Sequence, residues 1–473
     1  MAYSSSTIAI VGGGASGTLV AAQLLRQTTH PLRVVLFEPA EVAGKGLAYG
    51  TSEMTHLLNV PAGRISAWPD QPSHFLDWLN SASNLATLLN RKKFAAGDFV
   101  PRAFFARYLA SVLEEGIAAG RAHHARFEHR RDGVVDFVPF ASSGTVVTRS
   151  ADTEDVAHIV LALGNLPPRD PLARSHEFFR SPRYVSRVWE DGALSAIGRD
   201  DAVLVVGSGL TAIDVILSLR QTGHQGKIVV TSRNGRFPQV HAPSAPYPDF
   251  LTGLPRPTSA REWTRLIRTE ISKAKDGGTD WRPVFDALRP HTQAMWESLG
   301  KLERRRFLRH MRSFWESSRH RTPQASWAVV EALKGRGILE FRPGRLQDFE
   351  EDENAVKVTL RTRRQENQEL RVSWVLNCIG PESNFRQHLN DPLIINLMAR
   401  GVLHPDPLFL GIDALPNGQV VGAGGEAFPQ ISTLGPPLRG VLWETTAIPE
   451  IRVQAQRLAQ RILSSLSFPA WQI

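Results

Sequence analysis

The sequence predicts an α/β fold built on two parallel sheets, because the same local pattern occurs twice along its 473 residues. The first copy is an apolar, β-branched run at 8–11, followed by residues 12–17 with the spacing G-x-G-x-x-G. The second copy is the run at 202–206, followed by residues 207–212 with the spacing G-x-G-x-x-A. A helical pattern of apolar residues follows each copy. Strand, tight turn and helix in this order begin a βαβ unit, in which the strands are parallel.

The first glycine motif, residues 12–17, is typical of dinucleotide binding. Gly12 permits the turn, Gly14 lets the backbone approach a pyrophosphate, and Gly17 lets the helix pack close to the strand. The helix N-terminus adds amides and a partial positive charge for phosphates. The next strand, at 33–37, ends at Glu38, 21 residues after Gly17, where an acid can hold ribose hydroxyls.

The second glycine motif, residues 207–212, is followed by a strand at 227–230 and then by Arg233, 21 residues after Ala212. An arginine at this offset can pair with a 2′-phosphate. The two motifs therefore indicate different dinucleotides, and the second favours NADPH, although NADH would still fit. A solvated strand end is the alternative role for Arg233.

Further along the chain, each glycine motif is followed by an apolar strand that leads into a segment containing glycine. An apolar strand at 157–163 leads into Gly164 and Asn165, and a strand at 372–376 leads into residues 377–381. A buried strand that ends in glycine at the carboxyl edge of a sheet places backbone beside a ligand. Cys378 lies at the second of these edges and is expected to be a small core residue rather than a nucleophile.

These patterns predict two Rossmann-like dinucleotide-binding domains, the second inserted in the first, plus a helical insertion. The first domain comprises residues 1–170 and 385–473, the second comprises 198–254 and 336–384, and the insertion covers 255–335. Further predicted elements are helices at 74–90, 102–119 and 451–463, strands at 134–138, 145–149 and 419–422, and loops at 43–51 and 56–66. In the insertion, an apolar stripe of core residues is predicted at Phe307, Leu308, Met311, Phe314 and Trp315.

Composition limits the possible functions. A single cysteine excludes an intrachain disulfide, a Cys-x-x-Cys redox pair and a cysteine metal cluster, and no metal site is predicted. We find no secretory signal pattern and no apolar run long enough to span a membrane, so we expect a cytoplasmic protein. The net charge of +9 is spread along the chain. Solvated helix faces, or attraction of anionic cofactors and an anionic substrate, explain this charge better than binding to nucleic acid.

Longer motifs carry a more specific resemblance. They are GGGASG, GLAYGT, HLLNVP, LALGN, GSGLTAID, SRNGRFP, FLRHMRSFWESSRHR, LNCIGP and LGPPLRGVLWETTAIPEIRVQA. Together they resemble the two-dinucleotide flavoprotein family of FAD-dependent urate hydroxylases and aspartate N-monooxygenases. The resemblance spans nearly the whole chain but does not fix the substrate, since related members act on chemically different molecules.

The resemblance implies FAD in the N-terminal unit, with its adenosine ribose at Glu38. The pyrophosphate would lie at Gly12, Gly14, Ser16 and Gly17, while the loop at 435–440, which begins with Gly435, and the helix after it would approach the flavin. NAD(P)H would use Gly207, Gly209, Thr211 and Arg233.

Two nucleotide sites without a Cys-x-x-Cys pair exclude the dithiol flavin reductases. We therefore expect an FAD-dependent NAD(P)H monooxygenase, in which reduced FAD reacts with O₂ to form a flavin C4a-hydroperoxide. Hydroxylation of urate to 5-hydroxyisourate is the favoured activity, because forked arginines and side-chain amides suit a planar anion. The candidate substrate residues are Asn59, Gln239, Arg319 and Arg321.

Three alternatives remain open at this point. One is N-hydroxylation of an amino acid such as aspartate, in which a basic cleft would hold the carboxylate. Another is a flavin oxidoreductase that does not use oxygen. The third is a sensor or nucleic-acid-associated flavoprotein that uses the basic helix at 301–321; for residues 319–321 in particular, a solvated helix end is the alternative to a substrate clamp. The oligomeric state is not predicted.

Overall fold

The computed structural model describes residues 6–81, 93–172, 175, 177–387 and 390–466. The chain forms two compact units. Unit 1 comprises Met1–Ser52, Val60–Leu166 and Ser383–Ile473, and unit 2 comprises Glu53–Asn59 and Pro167–Glu382. Unit 2 is thus formed mainly by sequence that lies between segments of unit 1. The finer five-segment division predicted from the sequence stays a prediction.

The strands are numbered in chain order: β1 (Ser6–Val11), β2 (Leu32–Phe37), β3 (Arg126–Arg130), β4 (Val134–Pro139), β5 (Gly144–Thr148), β6 (Thr153–Val156), β7 (His158–Leu161), β8 (Tyr184–Val185), β9 (Val203–Val206), β10 (Ile228–Thr231), β11 (Leu339–Phe341), β12 (Arg345–Glu351), β13 (Val356–Arg361), β14 (Asn367–Val372), β15 (Trp374–Asn377), β16 (Gln419–Val421) and β17 (Ala427–Thr433).

The helices are numbered in the same way: α1 (Ala15–Gln27), α2 (Gly46–Tyr49), α3 (His74–Leu79), α4 (Arg102–Arg121), α5 (Leu210–Gln221), α6 (Ala260–Asp276), α7 (Trp281–Ala287), α8 (Thr292–Ser298), α9 (Lys301–His310), α10 (Arg312–Arg319), α11 (Gln324–Gly335), α12 (Pro392–Ala399), α13 (Arg439–Leu442) and α14 (Ile448–Ser465). Short 3₁₀ turns lie at Ala62–Arg64, Phe178–Arg180, Arg289–His291, Phe385–Gln387 and Pro436–Leu438.

Unit 1 is built on a six-stranded sheet with the order β16-β17-β7-β1-β2-β3. All of its neighbouring pairs are parallel except the edge pair of β16 and β17. The apolar run of β1 is buried because both faces of a parallel sheet are covered. Helix α1 packs against α4 and α14 on one face. On the other face, Phe137, Val146 and Leu397 join the sheet in a hydrophobic core.

A second layer of unit 1 is the antiparallel meander β4-β5-β6, against which α12 packs. Two strands of this meander were predicted close to their observed bounds, whereas β6 and α12 were not predicted. In the same unit, β3 and β17 extend the parallel sheet on either side and were also not predicted. Helix α4 agrees with the predicted helix at 102–119.

Unit 2 repeats this plan with the sheet order β11-β10-β9-β15-β8, in which all pairs are parallel. One face of the sheet packs on α5 and α11, with Ile216, Val330 and Leu333 in the core. The other face packs on the antiparallel meander β12-β13-β14, through residues such as Val356 and Val358. Each unit therefore has a parallel sheet with helices on one side and a meander on the other.

Four of the predicted elements need correction or restriction. The predicted strand at 372–376 is two strands, because the chain turns at Ser373, whose N–H donates to the carbonyl oxygen of Ala202, and passes from the meander into the parallel sheet. The predicted loop at 43–51 contains the single helical turn α2. Helix α3 ends at Leu79, and residues 82–90 of the predicted helix at 74–90 lie outside the described residues. Strand β7 is shorter than predicted.

The helical segment of unit 2 also differs from the prediction. The stripe predicted at 307–315 is divided between two helices, α9 and α10, which meet at Met311. Trp315 is buried, as the stripe predicts, but the side chain of Phe314 is 44% exposed. The guanidinium carbon of Arg236 lies 3.6 Å from the Phe314 ring centre, which gives this exposed ring a cation–π contact. None of the helices in the described part of the chain combines the length and apolarity that crossing a membrane requires.

Candidate cofactor sites

The parallel strands of unit 1 bring four separate segments to one edge. Strands β1, β2, β7 and β17 run in the same direction, so their carboxyl ends lie side by side. The residues that follow these ends are Gly12, Glu38, Ala162 and Leu434. Ligands of open α/β sheets bind outside the carboxyl ends of the strands. The edge is therefore the candidate site of unit 1.

The first glycine motif has the geometry that its spacing predicts. Gly12 has a φ of +101°, and a Cβ atom there would lie 2.5 Å from the carbonyl oxygen of Ala162. A Cβ atom at Gly17 would overlap the carbonyl oxygen of Gly12. At Gly14, by contrast, the nearest atom to such a Cβ would be Cα of Gly46, 3.6 Å away. The first and third glycines thus allow close packing, whereas the second leaves the backbone open to approach.

Gly14 is also the N-cap residue of α1, and no side chain caps this helix end. Its first amides are therefore available to an external acceptor, which at a helix N-terminus is favoured when it is anionic. Ser16, in the first turn, is only 6% exposed. This helix end supplies the donors that a pyrophosphate needs.

Glu38 is placed against the first glycine motif. Its Oε2 accepts a hydrogen bond from the backbone N–H of Gly13 at 2.8 Å, and its Oε1 accepts one from the N–H of Ala40 at 3.0 Å. The carboxylate is half-buried at the end of β2. It is therefore at the site edge in the position predicted for a ribose ligand, although part of its hydrogen-bonding capacity is already used by backbone.

The loop after β2 covers the same motif. The backbone N–H of Gly44 donates to the carbonyl oxygen of Gly13 at 2.7 Å. Gly46, with a φ of +48°, would carry a Cβ only 3.0 Å from Cα of Gly14. Gly44 and Gly46, the second of which begins the GLAYGT motif, thus lie directly against the turn of the first glycine motif.

Gly164 and Gly435 lie after the ends of β7 and β17. Gly164 has a φ of +63°, and the neighbouring Asn165 is exposed. Gly435 is buried, has a φ of +73° and donates its N–H to Oε1 of Gln454 at 2.8 Å. A Cβ at Gly435 would lie 2.7 Å from Oγ of Ser16, so this loop contacts the first turn of α1. Gln454 was not singled out from the sequence, because nothing in its neighbourhood on α14 distinguishes it.

These features fit an FAD molecule in unit 1. The open position at Gly14, the uncapped helix end and the acid at Glu38 match the pyrophosphate and ribose of a dinucleotide. In addition, Nε2 of Gln454 is a buried donor with no hydrogen-bond partner among the described residues. A donor of this kind is satisfied when a ligand brings an acceptor.

Unit 2 presents the second glycine motif in nearly the same geometry. Gly207 has a φ of +116°, and its N–H donates to the carbonyl oxygen of Thr231 at 2.8 Å. A Cβ at Gly207 would overlap the carbonyl oxygen of Cys378, whereas no described atom lies within 4 Å of a Cβ at Gly209. Gly209 is the N-cap residue of α5, and Thr211 lies in its first turn. The open glycine and the uncapped helix end therefore recur.

Cys378, whose carbonyl oxygen packs against Gly207, is a buried core residue rather than a reactive thiol. Its side chain is 3% exposed, and burial raises the pKa of its thiol, so the reactive thiolate is disfavoured. Ser208, inside the motif, donates its hydroxyl hydrogen to the carbonyl oxygen of Arg236 at 2.5 Å, and its Oγ lies 2.8 Å from Oγ of Ser232, from which it can accept a hydrogen bond. These bonds fix the loop that carries Arg233.

Arg233 lies in a cluster of positive charge. Partial burial, followed by the charges of Arg169, Arg312 and Arg345, lowers the pKa of Arg233. Arg312 is paired with Glu316 and Arg169 with Glu382, whereas Arg233 forms no ion pair within the described ranges. A 2′-phosphate bound near the end of β10 would neutralise the positive charge of Arg233.

The four candidate substrate residues all lie in unit 2. Gln239 is exposed, and its backbone bonds to Ser317 and Thr322 hold it beside the segment that contains Arg319. Asn59 is linked to the same region, because its carbonyl oxygen accepts a hydrogen bond from Nε2 of His241 at 3.0 Å. Burial lowers the pKa of His241 to about 4, so the ring is neutral and has one N–H to donate.

Arg321 has a structural explanation. Its side chain is 4% exposed and donates two hydrogen bonds to the carboxylate of Asp286, at 2.6 and 3.2 Å. It also donates to the carbonyl oxygens of Ser318 and Arg282. These bonds account for the position of Arg321 without a substrate. Its role as a substrate ligand, like those of the other three residues, stays a prediction.

Fold and sites together define a class of protein. The chain has the two-dinucleotide-domain fold of flavoproteins that bind FAD and NAD(P)H, as predicted from the sequence. A family model described as FAD-NAD(P)-binding matches residues 9–166, the region that contains the first glycine motif. The predicted cofactors agree with this model.

Solved structures with this fold match almost the whole chain. The ornithine N-hydroxylase of Kutzneria sp. 744, with FADred, NADP⁺ and L-orn, has a TM-score of 0.62 at 14% identity, over 97% of this chain and 99% of that one. The L-lysine 6-monooxygenase of Pseudomonas syringae has a TM-score of 0.64 at 18% identity, over 97% and 99%. DfoA, the FAD-bound cadaverine monooxygenase of Erwinia amylovora, has a TM-score of 0.64 at 13% identity, over 99% of both chains.

Among curated proteins, the uncharacterized protein YdhS of Escherichia coli K12 is 26% identical over 301 residues. The match covers 58% of this chain and spans about half the length of that relative, 52%.

Proposed function

We propose that the protein is an FAD-dependent monooxygenase that uses NADPH and O₂ to hydroxylate a small amine or amino acid on nitrogen. The observation that carries the proposal is the pair of uncapped helix N-termini at Gly14 and Gly209. The first glycine motif is followed after 21 residues by an acid, Glu38, and the second is followed after 21 residues by an arginine, Arg233. When bound, FAD supplies the redox chemistry with oxygen, and NADPH supplies the reducing equivalents.

In unit 1, the chain's task is to bind and orient FAD. Gly12, Gly14, Ser16 and Gly17 hold the pyrophosphate through backbone amides and a hydroxyl, and Glu38 holds the adenosine ribose. Gly164 and Asn165 line the same edge, and Gly435 brings its loop towards the isoalloxazine. No side chain of this set has to act as a nucleophile.

In unit 2, Gly207, Gly209 and Thr211 bind the pyrophosphate of NADPH, and Arg233 pairs with its 2′-phosphate. Single-residue substitution tests the last role. Arg233→Ala should raise the KM for NADPH by about 10- to 100-fold, since a charge-assisted bond is worth about 1.5 to 3 kcal/mol, while FAD stays bound. An unchanged KM for NADPH would contradict the role, and Arg261→Ala, at an exposed position of α6, is a matched charge control.

The choice of N-hydroxylation is supported by the ornithine, lysine and cadaverine enzymes that share the fold. Hydroxylation of urate is the second candidate, and the resemblance of the longer sequence motifs favours it. For an amino acid and for urate alike, Asn59, Gln239 and Arg319 are the residues proposed to bind the anionic part of the substrate. A carboxylate and a urate anion both suit arginine and amide donors.

Substrate-stimulated oxidation of NADPH by the FAD-loaded protein tests the proposal. The panel includes ornithine, lysine, aspartate, cadaverine and urate, and the product is assayed in each case. We expect one amine to increase NADPH oxidation and to yield a hydroxylamine. Loss of urate absorbance would favour the second candidate instead, and NADPH oxidation without incorporation of oxygen would point to a flavin oxidoreductase of another kind.

A further inference from the structure

Gln454, on α14, is hydrogen-bonded to the loop at 435–440. Its Oε1 accepts the hydrogen bond from the N–H of Gly435 at 2.8 Å. A backbone N–H can only donate, so the oxygen of the carboxamide must face Gly435. The NH₂ group of the same side chain is therefore turned away from the loop backbone.

This NH₂ group is a buried donor without an acceptor. Nε2 of Gln454 has no hydrogen-bond partner in the part of the chain that the structure describes. An unpaired buried donor costs free energy, and native structures contain few of them. A ligand oxygen placed against Nε2 would satisfy it.

The surroundings of Gln454 belong to the edge of the first glycine motif. A Cβ at Gly435 would lie 2.7 Å from Oγ of Ser16 and 3.8 Å from Cδ1 of Ile451, one turn before Gln454 on α14. Gly435 thus lies between the first turn of α1 and the helix that carries Gln454. Ser16, Gly435 and Gln454 form one corner of unit 1, on the side where the motif presents its amides.

We infer that Gln454 is an FAD-binding residue, which holds Gly435 through Oε1 and donates from Nε2 to an oxygen of the bound FAD. The inference rests on the proposed function only in requiring FAD in unit 1, and it is independent of the substrate. A glutamate at this position would hold Gly435 equally well but would present a second acceptor. The amide is therefore the side chain that serves both partners, and the anionic pyrophosphate disfavours the carboxylate.

The test is the affinity of the apoprotein for FAD, measured by quenching of flavin fluorescence. Gln454→Glu keeps the shape and the acceptor for Gly435 but removes the donor. We expect its Kd for FAD to rise by about 10- to 100-fold, the effect of losing one hydrogen bond to a charged or strongly polar group. Gln460→Glu makes the same charge change at an exposed position of α14 and should leave the Kd within about twofold of the wild-type value.

A second variant, together with melting temperatures, distinguishes loss of FAD binding from loss of the fold. Gln454→Met is neutral and similar in length, and it lacks both polar atoms. It should lose FAD affinity at least as strongly, while the melting temperature of each apoprotein reports whether the fold is retained. Wild-type affinity for FAD in either folded Gln454 variant would overturn the inference. Failure of the wild-type protein to bind FAD would instead overturn the proposed function and the inference together.

Discussion

Gly14 and Gly209 offer a direct way to separate the two proposed cofactor sites. Both are N-cap residues with ordinary extended backbone, with φ values of −69° and −81°, so alanine is compatible with either conformation. The nearest atom to a Cβ at Gly14 would be 3.6 Å away, an ordinary contact, and no described atom lies within 4 Å of a Cβ at Gly209. We therefore expect both alanine variants to fold.

The effect on stability can be estimated from the same geometry. Replacing glycine by alanine without strain stabilises a protein by about 0.4 to 1 kcal/mol, because the unfolded chain loses conformational freedom. The free energy of unfolding of each apoprotein should thus be unchanged or slightly higher. The added methyl group, however, occupies the space through which a pyrophosphate approaches the helix amides.

Losing one such charge-assisted hydrogen bond costs about 1.5 to 3 kcal/mol, which corresponds to roughly 10- to 150-fold in affinity. Gly14→Ala should therefore weaken binding of FAD by at least about tenfold. Gly209→Ala should bind FAD normally but show at least a tenfold higher KM for NADPH. Fluorescence titration with FAD and steady-state NADPH oxidation measure the two effects. Wild-type FAD affinity in Gly14→Ala, or loss of FAD in Gly209→Ala, would refute the assignment of sites.

Three further predictions concern the fold. Gly17→Ala should lower the free energy of unfolding by about 3 kcal/mol, because its Cβ overlaps the carbonyl oxygen of Gly12; a loss below about 0.5 kcal/mol in urea denaturation would contradict this packing. Burial, with a smaller contribution from the charge of Arg461, lowers the pKa of His158 to about 3. In the unfolded chain the histidine has a pKa near 6.5, so as the pH falls the unfolded chain is protonated at this residue before the folded protein is. The free energy of unfolding should therefore decrease below pH 6.5, by up to about 1.4 kcal/mol per pH unit as the pH drops towards 3. Urea denaturation at pH 7 and pH 5 should show a smaller decline for His158→Gln, and an equal decline would argue against the neutral buried ring. Arg321→Met should destabilise the protein by about 2 kcal/mol, less than for a fully buried pair, because the Asp286 side chain keeps 39% exposure. Unchanged stability together with a raised substrate KM would assign Arg321 to the substrate instead.

The two glycine motifs could be predicted from sequence because their constraints are local. The positive φ at Gly12 and the close packing of Gly17 on the carbonyl oxygen of Gly12 both act within six residues, so the spacing of the glycines specifies this geometry. The offset from Gly17 to Glu38 is set by one helix and one strand, and for this reason it recurs between Ala212 and Arg233.

Other parts of the sites depend on contacts between distant residues, which single-sequence patterns do not record. Arg345, which contributes to the positive charge around Arg233, lies more than 100 residues away in the chain. The strand β17, which delivers Gly435 to the site edge, contains Pro429 and a mixed polar pattern, so its sequence does not resemble a buried parallel strand. Gln454 becomes informative only once its oxygen is seen to accept from Gly435.

The apolar stripe predicted at 307–315 is divided between two helices for a similar reason, because its burial also depends on contacts with distant residues. Its apolar spacing suits one continuous helix, but the chain bends at Met311, and Phe314 then faces Arg236 rather than the core. Periodicity records which residues could share a face, whereas the tertiary partner decides whether that face is buried.

Isotope incorporation during turnover is the measurement that bears most directly on the proposed function. With FAD-loaded protein, NADPH, ¹⁸O₂ and the amine that stimulates NADPH oxidation, we expect one ¹⁸O atom in the hydroxylamine product for each NADPH consumed under coupled conditions. Mass spectrometry of the product and the NADPH absorbance give the two quantities. Substrate-dependent NADPH oxidation with no ¹⁸O in any product would contradict a monooxygenase.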